Sequence, residues 1–397
     1  MGLDLRPSPE DEKFRRELRA WLASEVPRHG PPPAMDDFPS RRAYDTSWQQ
    51  KLFGAGYAGL HWPTEYGGRN LSLTQQLIYH EDVARAGAPD IGMNFVGLMH
   101  GGPTLMVEGS PEQKSQHLPA ILRGAEVWCQ GFSEPSAGSD LAGLRTRAVR
   151  DGDHYVVTGQ KIWTSYAHQA DYCELLVRTD PEAPKHKGIS WLILPMDLPG
   201  IEVRPLKTLT GEGEFSEVSL EAVRVPVRNR VGAENDGWRV TNVTLRFERG
   251  TAFSGRIYQL QATLWALRRA AERITRRDAR SWDDAHLRRE AGRLQAELDA
   301  LSAMLKLAIS EAESTGVPGL GSSALKLAFT HVYQGIGDLG VRVLGRAGLS
   351  MADFHDTPVR PLAMRYFFSL SIAIAAGSSQ IQRNIISERM QGLPKDR

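Results

Sequence analysis

The sequence predicts an α+β chain in three consecutive parts: a helical segment at 1–126, a β unit at 127–235 and a helical bundle at 236–397. Three observations predict it. Apolar residues recur at helical spacing in the first part and again in the last. Between them lies a stretch dense in Gly, Pro, Thr and short β-branched runs, which loses that period and is punctuated by turn signals. Finally, 397 residues are more than one core usually holds, which favours two or three domains.

The first part opens with Ser8-Pro9-Glu10-Asp11, an N-cap, a proline at the first helical position and an acid at the third. Phe14, Leu18, Trp21 and Leu22 then share one face. A proline-rich loop is expected over 27–39, followed by a helix running to Tyr57. A turn-rich segment at 61–70 contains Pro63 and Gly67-Gly68, and further helices are expected over 72–86 and 111–123. In the middle part, runs at 155–158, 175–177, 189–194 and 217–220 read as strands, and Asp151-Gly152-Asp153 signals a hairpin. Strands at that spacing suggest a small barrel or sandwich. In the last part, Leu260, Leu264, Leu267 and Ala271 mark a helix over 238–275. Residues 281–284 read as a second capping box, opening a helix with Leu287, Leu294, Leu298, Leu301 and Leu305 on one side. Two more helices are expected over 322–344 and 361–391.

Composition narrows the function. At 41% apolar and 24% charged, the chain has enough apolar surface for a core and is not a disordered one. A net charge of +1 argues against a dedicated nucleic-acid surface. The apolar run at 367–376 is broken by Ser369 and Ser371 and is too short to span a bilayer, and residues 1–10 show no signal-peptide pattern. Cys129 and Cys173 are the two cysteines, which fits a reducing cytosol and offers neither a disulfide framework nor zinc-ligand spacing.

Four motifs carry the chemistry. The run Trp128-Cys129-Gln130-Gly131-Phe132-Ser133-Glu134-Pro135-Ser136-Ala137-Gly138-Ser139-Asp140 resembles the acyl-CoA dehydrogenase signature Thr/Ser-Glu-Pro-x-Ala-Gly-Ser-Asp. The upstream His61-Trp62-Pro63-Thr64-Glu65-Tyr66-Gly67-Gly68 is similar to that family's Trp-Pro-x-Glu-Tyr-Gly-Gly. Gly159-Gln160-Lys161-Ile162-Trp163-Thr164-Ser165 matches its Gly-x-Lys-x-Trp-x-Thr/Ser, and Ser378-Ser379-Gln380-Ile381-Gln382-Arg383 its Thr/Ser-x-Gln-Ile-Gln-Arg. Each is weak alone, but four in the right order span nearly the whole chain. The resemblance implies an N-terminal helical domain, a central β barrel and a C-terminal four-helix bundle.

The resemblance also implies a chemistry, the α,β-dehydrogenation of an acyl-CoA thioester with FAD as cofactor. A base removes the α-proton and the flavin N5 takes the β-hydride, which calls for a desolvated carboxylate, hydrogen bonds on the enolate oxygen and a positioned flavin. By the same resemblance Ser133 and Ser165 donate to the flavin and Trp163 lies against it. Gln130 and Phe132 contribute backbone groups to that loop, Ser378 and Gln380 belong to the C-terminal flavin contacts, and Ser139 lies near the CoA chain. On residue type alone, Ser in turns caps backbone and Trp in a strand is core.

The base departs from the commonest pattern. The family's usual Glu before Gly-Thr/Ser-x-Gln-Ile-Gln is here Ala376, which keeps only the backbone N–H that polarises the thioester carbonyl. In the isovaleryl-type and long-chain-type branches the base sits on the first long helix after the β domain, and Glu248 in Leu245-Arg246-Phe247-Glu248-Arg249-Gly250 occupies that position. Helical spacing sets Thr244, Glu248, Thr251, Ala252 and Gly255 on one face. The competing reading is a Glu paired with Arg246 or Arg249 on a solvated face. The family's Arg-x-x-Phe-Gly, which meets a neighbouring subunit's flavin pyrophosphate, is reduced here to Arg277-Asp278-Ala279-Arg280, and its Gly-Gly-x-Gly reads Gly345-Arg346-Ala347-Gly348.

Three classes follow: a cytoplasmic dehydrogenase passing electrons to an electron-transfer flavoprotein, a non-catalytic or half-catalytic subunit of a mixed oligomer, and an acyl-CoA oxidase. Glu248 favours the first; a homo- or hetero-tetramer is expected, and the altered C-terminal contacts favour the mixed one, in which the second half of the flavin site comes from a related chain. Alternatively, Arg276, Arg277 or Arg346 meets the pyrophosphate by another route. The acyl group is not legible beyond a similarity to bacterial enzymes acting on bulky or steroid-side-chain thioesters.

Overall fold

The structure, a computed structural model, describes residues 7–34, 36–211, 213–248, 252–276, 278–315, 321–350 and 359–394. The chain opens with helices α1 (Pro9–His29), α2 (Phe38–Gly54), α3 (Leu73–Arg85), α4 (Gly102–Glu108) and α5 (Pro111–Leu122). Strands β1 (Trp128–Gly131), β2 (Arg147–Asp151), β3 (His154–Ser165), β4 (Tyr172–Arg178), β5 (Ile189–Pro195), β6 (Ile201–Leu206), β7 (Phe215–Pro226) and β8 (Arg230–Val231) follow. Then come α6 (Gly237–Glu248), α7 (Ala252–Arg273), a small hairpin of β9 (Thr275–Arg276) and β10 (Ala279–Arg280), α8 (Ala285–Thr315), α9 (Gly321–Leu344), α10 (Arg346–Ser350), α11 (Val359–Ile372) and α12 (Ser379–Ile385). The order of helices, β domain and helices is the one expected. Packing divides the chain into two compact units, 1–22 with 73–88 and 250–397, and 23–72 with 89–249.

In the first unit the start of α1 is capped as its sequence dictates. Ser8 N–H donates to Asp11 Oδ2 at 2.9 Å and Asp11 N–H donates back to Ser8 Oγ at 3.1 Å. Arg19 on α1 donates through Nε and Nη2 to Asp82 Oδ1 on α3, at 3.0 and 2.9 Å. The bundle core joins Leu260, Leu264 and Leu267 of α7 to Leu294 and Leu298 of α8 and Phe329 of α9, all buried. Each such side chain contributes about 1.5–3 kcal/mol of burial.

Three boundaries differ from expectation. First, α1 runs through Pro27 to His29, carrying the proline within its last turn rather than ending before it. Second, the cap of α8 is Asp284, whose Oδ1 accepts from His286 N–H at 2.8 Å, and not Ser281. Ser281 is buried and its hydroxyl donates to Val343 O at 3.3 Å. Third, the helix expected over 361–391 is interrupted after Ile372, where Ala376 (φ 55°) and Gly377 (φ 83°) take left-handed conformations that no helix continues. Ser378 then caps α12, its Oγ accepting from Ile381 N–H at 3.3 Å.

In the second unit one eight-stranded sheet runs β6-β7-β3-β2-β4-β5-β8, with β1 paired parallel to β4. The hairpin read at 151–153 joins β2 to β3, with Asp151 opposite His154 and Gly152 at φ 59°. Cys129, Tyr155, Val157, Leu175, Leu192 and Val223 lie in its core. Among the elements without a signal in the sequence are β1, β6, β8 and the turns leading into α4. Around 93–105 both apolar and polar residues are buried, with Met93, Val96, Leu98, His100 and Leu105 at 0–5% exposure, so no polar face supplies a helical period.

Candidate active site

The functional geometry grows from two neighbouring backbones, the loop leaving β1 and the far half of β3. β1 ends at Gly131, and Phe132, Ser133 and Glu134 turn away from the sheet. The loop is pinned at once to β3, where Ile162 N–H donates to Ser133 O at 3.0 Å. Beside that bond, Lys161 Nζ donates to Phe132 O at 3.2 Å and to Glu134 Oε1 at 2.9 Å. Lys161 is fully buried, and Glu134 nearly so. Glu134 also accepts from Arg145 N–H at 2.7 Å and Thr146 N–H at 2.8 Å, so the carboxylate is surrounded by donors. Burial pushes its pKa up, but the ammonium and these donors outweigh it and hold the carboxyl below the usual range. Burial lowers the Lys161 pKa, with Glu134 opposing.

β3 bulges against β7 between Lys161 and Thr164. In that bulge Trp163 takes φ 61°, rare for a bulky residue, and its indole stands 57% exposed with Phe215 edge-on at 6.0 Å. A strained backbone that projects a large aromatic into solvent is the kind of feature that clusters at ligand sites. Ser165 ends the strand opposite Phe215, and Tyr166 follows at φ 55°. Among the described residues, neither hydroxyl of Ser133 and Ser165 has a hydrogen-bond partner, and the Ser133 N–H has no acceptor. An exposed indole face, two uncommitted hydroxyls and an open amide are the donor set that a planar, acceptor-rich flavin ring calls for, so these residues fit FAD.

Other candidates fall as follows. The Gln130 side chain is committed inward, its Nε2 donating to Glu174 Oε1 at 2.8 Å beside His100 Nδ1, so only backbone groups remain for a ligand. The Phe132 ring is buried and its carbonyl is held by Lys161. Ser139 is exposed after the tight turn in which Glu134 and Ala137 exchange backbone bonds. Glu248 is the last residue of α6, and its side chain lies outside the described residues, as do Arg277, Thr251 and the side chains of Arg246 and Arg249. Thr244, one turn before Glu248, is buried against Thr104, hydroxyl to hydroxyl at 2.8 Å.

In the other unit Ala376 is exposed and left-handed, its carbonyl accepting from Gln382 Nε2 at 3.0 Å. Ser378 has its oxygen committed to the cap of α12, and Gln380 is exposed. Arg346 is exposed at the start of α10, while Arg280 is paired with Asp283 at 3.0 Å. The residues the sequence reading passed over are Lys161 and Glu134. Both stand inside the quoted motifs, but a Lys and a Glu far apart in sequence carry no mark of being a buried pair.

Three family models match in chain order: the acyl-CoA dehydrogenase N-terminal domain over residues 8–125, the middle domain over 129–223 and the C-terminal domain over 235–391. Acyl-CoA dehydrogenase IpdE1 of Mycobacterium tuberculosis is 39% identical over 394 residues, 97% of this chain and 98% of that protein. Among solved structures, the ChsE4-ChsE5 complex from Mycobacterium tuberculosis matches with a TM-score of 0.83 and 33% identity, covering 99% of this chain and 100% of that one. The Tcur3481-Tcur3483 steroid ACAD matches with a TM-score of 0.81 and 30% identity over 99% of this chain and 100% of that one.

Proposed function

This chain belongs to the acyl-CoA dehydrogenase family, and on that premise we propose that it catalyses α,β-dehydrogenation of an acyl-CoA thioester with Glu248 as the base. It is an oxidoreductase and its cofactor is FAD. Bound FAD supplies the hydride acceptor, N5, for the hydrogen leaving the β-carbon. The rest falls to the chain. Trp163 offers a broad apolar face that orients the ring and excludes water, and Ser133 and Ser165 donate to its polar edge. Glu248 takes and holds the α-proton. Ala376 has no carboxylate to compete for that role, and its backbone N–H is the group that the resemblance assigns to the thioester carbonyl. Ser139, exposed beyond the Glu134–Ala137 turn, suits the CoA end.

The observation that carries this reading is Trp163, held out at positive φ beside two uncommitted serine hydroxyls in the family's motif positions. Two of the solved neighbours are described as a two-protein complex and as a steroid ACAD, which supports a bulky, steroid-derived acyl group and a mixed tetramer. The changes at Ala279 and Arg346 favour the same assembly, in which a related chain completes the pyrophosphate side. Electrons then pass to an electron-transfer flavoprotein, and the enzyme works in the cytoplasm. Among the described residues no helix is long and apolar enough to cross a membrane.

The test is an acyl-CoA panel of straight-chain, branched and steroid-derived thioesters, with mass spectrometry of the product. Loss of two hydrogens from one of these, with a dye or electron-transfer flavoprotein as acceptor, is the expected result. Hydrogen peroxide in stoichiometric amount would assign an oxidase instead, and no product from any member would end the proposal. Mass in solution and FAD per chain, for the chain alone and co-expressed with a relative, separate the assemblies. A homotetramer with one FAD per chain and full activity contradicts the mixed one.

A further inference from the structure

The buried pair of Lys161 and Glu134 does more than join two segments. Its atoms are arranged with a direction. The ammonium lies at the Phe132 carbonyl, 3.2 Å away, on the side of the loop. The carboxylate is turned toward the first residues beyond that loop, where the amides of Arg145 and Thr146 donate to it at 2.7 and 2.8 Å. Those amides offset part of the negative end, whereas the positive end is applied to one peptide unit. That unit is Phe132–Ser133: its oxygen accepts from Lys161, and its N–H is the Ser133 amide, which has no acceptor among the described residues. A peptide group whose oxygen is bound by a cation becomes a stronger donor at its nitrogen, because hydrogen bonds along one peptide polarise one another. In a dry interior that effect is not screened away.

We propose that Lys161 and Glu134 act as an electrostatic positioning pair for the flavin. Lys161 polarises the Phe132–Ser133 peptide so that the Ser133 N–H binds the electron-rich polar edge of the ring, and Glu134 sets how much of that positive field the ring feels. The inference rests on the reading of Ser133 as a flavin contact. Neither Lys161 nor Glu134 touches the ring; both act through the loop. The same pair fixes the spacing between Ser133 and Trp163, since Ile162 N–H and Lys161 Nζ bind adjacent carbonyls of one loop. Positive field at the ring's polar edge favours added negative charge there, so it raises the reduction potential of the bound flavin.

Lys161→Met, Glu134→Gln and the double variant test this in the yellow holoprotein. The readouts are the FAD dissociation constant, the midpoint potential of the bound flavin and the melting of flavin-free protein. Lys161→Met is expected to weaken FAD by about tenfold, the scale of one charge-assisted hydrogen bond, and to shift the potential negative. Glu134→Gln, measured at the acid end of the range where Lys161 keeps its proton, is expected to shift it positive, because the ammonium then stands without its counter-charge. Both single variants melt lower than wild type, as a buried pair that loses one partner does, so melting alone does not discriminate. Potentials equal to wild type across the variants, with only melting changed, would make the pair purely structural and overturn the inference. If Lys161→Met does not fold, the sign for Glu134→Gln decides: an unmoved or negative shift overturns the inference. A wild-type protein that binds no FAD in any assembly would sink the functional reading, and this inference with it. Wild type that binds FAD alongside unmoved variant potentials would sink the inference alone.

Discussion

Trp163 offers a test of strain in which the usual ranking of two substitutions inverts. Trp163→Ala and Trp163→Gly remove the same ring. At 57% exposure less than half of that ring packs, so both variants lose on the order of 100 Å² of burial, or about 2.5 kcal/mol. They differ in the backbone. At φ 61° alanine keeps a left-handed strain of about 1–2 kcal/mol, and glycine has none. Glycine's greater freedom in the unfolded chain takes back about 0.5–1 kcal/mol. The glycine variant is therefore expected to be the more stable by about 0.5–1 kcal/mol, where a strand normally favours alanine. Urea unfolding of the flavin-free proteins, followed by tryptophan fluorescence and backbone dichroism together, measures the difference. Both variants also lose the aromatic contact with the ring and should bind FAD roughly three- to tenfold more weakly. An alanine variant as stable as the glycine variant, or more so, would refute the claim that the fold holds Trp163 out at a conformational cost.

Ala376 is the parallel case at φ 55°, and Ala376→Gly is expected to raise stability by about 0.5–1 kcal/mol in the same urea assay; a loss would contradict the left-handed geometry. Burial holds the His61 pKa down to about 4 against an ordinary 6.5. The unfolded chain therefore binds more protons across that window, so stability falls as pH drops from 6.5 toward 4. His61→Gln should flatten that part of the urea-midpoint profile, and an unchanged slope would assign it to other groups. Leu298, fully buried between the bundle helices, should cost about 2–5 kcal/mol on truncation to Ala, read as a lower melting temperature.

Much of the fold was legible because most elements present one buried face. The heptad-like leucines of α8 and the Asp151-Gly152-Asp153 turn are read directly from period and turn chemistry. What escaped lacks such contrast. The segment around His100 is buried all round, and β6 is a half-exposed strand whose sequence, Ile-Glu-Val-Arg-Pro-Leu, carries a proline. The interruption at Ala376 was hidden because alanine rarely adopts positive φ, so nothing in its identity signals a turn. At the candidate site, Ser133, Trp163 and Ser165 were singled out by motif position, and the structure adds that both serine hydroxyls are uncommitted among the described residues, while the Ser133 carbonyl is held by Ile162. The pairing of Lys161 with Glu134 was invisible, because it depends on a loop folding back onto a strand 27 residues later. The inward turn of the Gln130 side chain onto Glu174 was equally invisible, because it depends on a partner 44 residues away; the backbone role expected of Gln130 does not involve that side chain.

The proposed chemistry turns on one carboxylate, and a single comparison reaches it. Wild type and Glu248→Gln, each loaded with FAD, are mixed anaerobically with the acyl-CoA that the panel identifies, and the yellow absorbance is followed in one turnover. Wild type is expected to bleach rapidly and the variant about 10²–10⁴-fold more slowly, with FAD content and melting temperature unchanged, because a general base has become an amide that accepts no proton. A Glu248→Gln protein that bleaches at the wild-type rate would contradict the proposed chemistry and move the base to another residue or another chain.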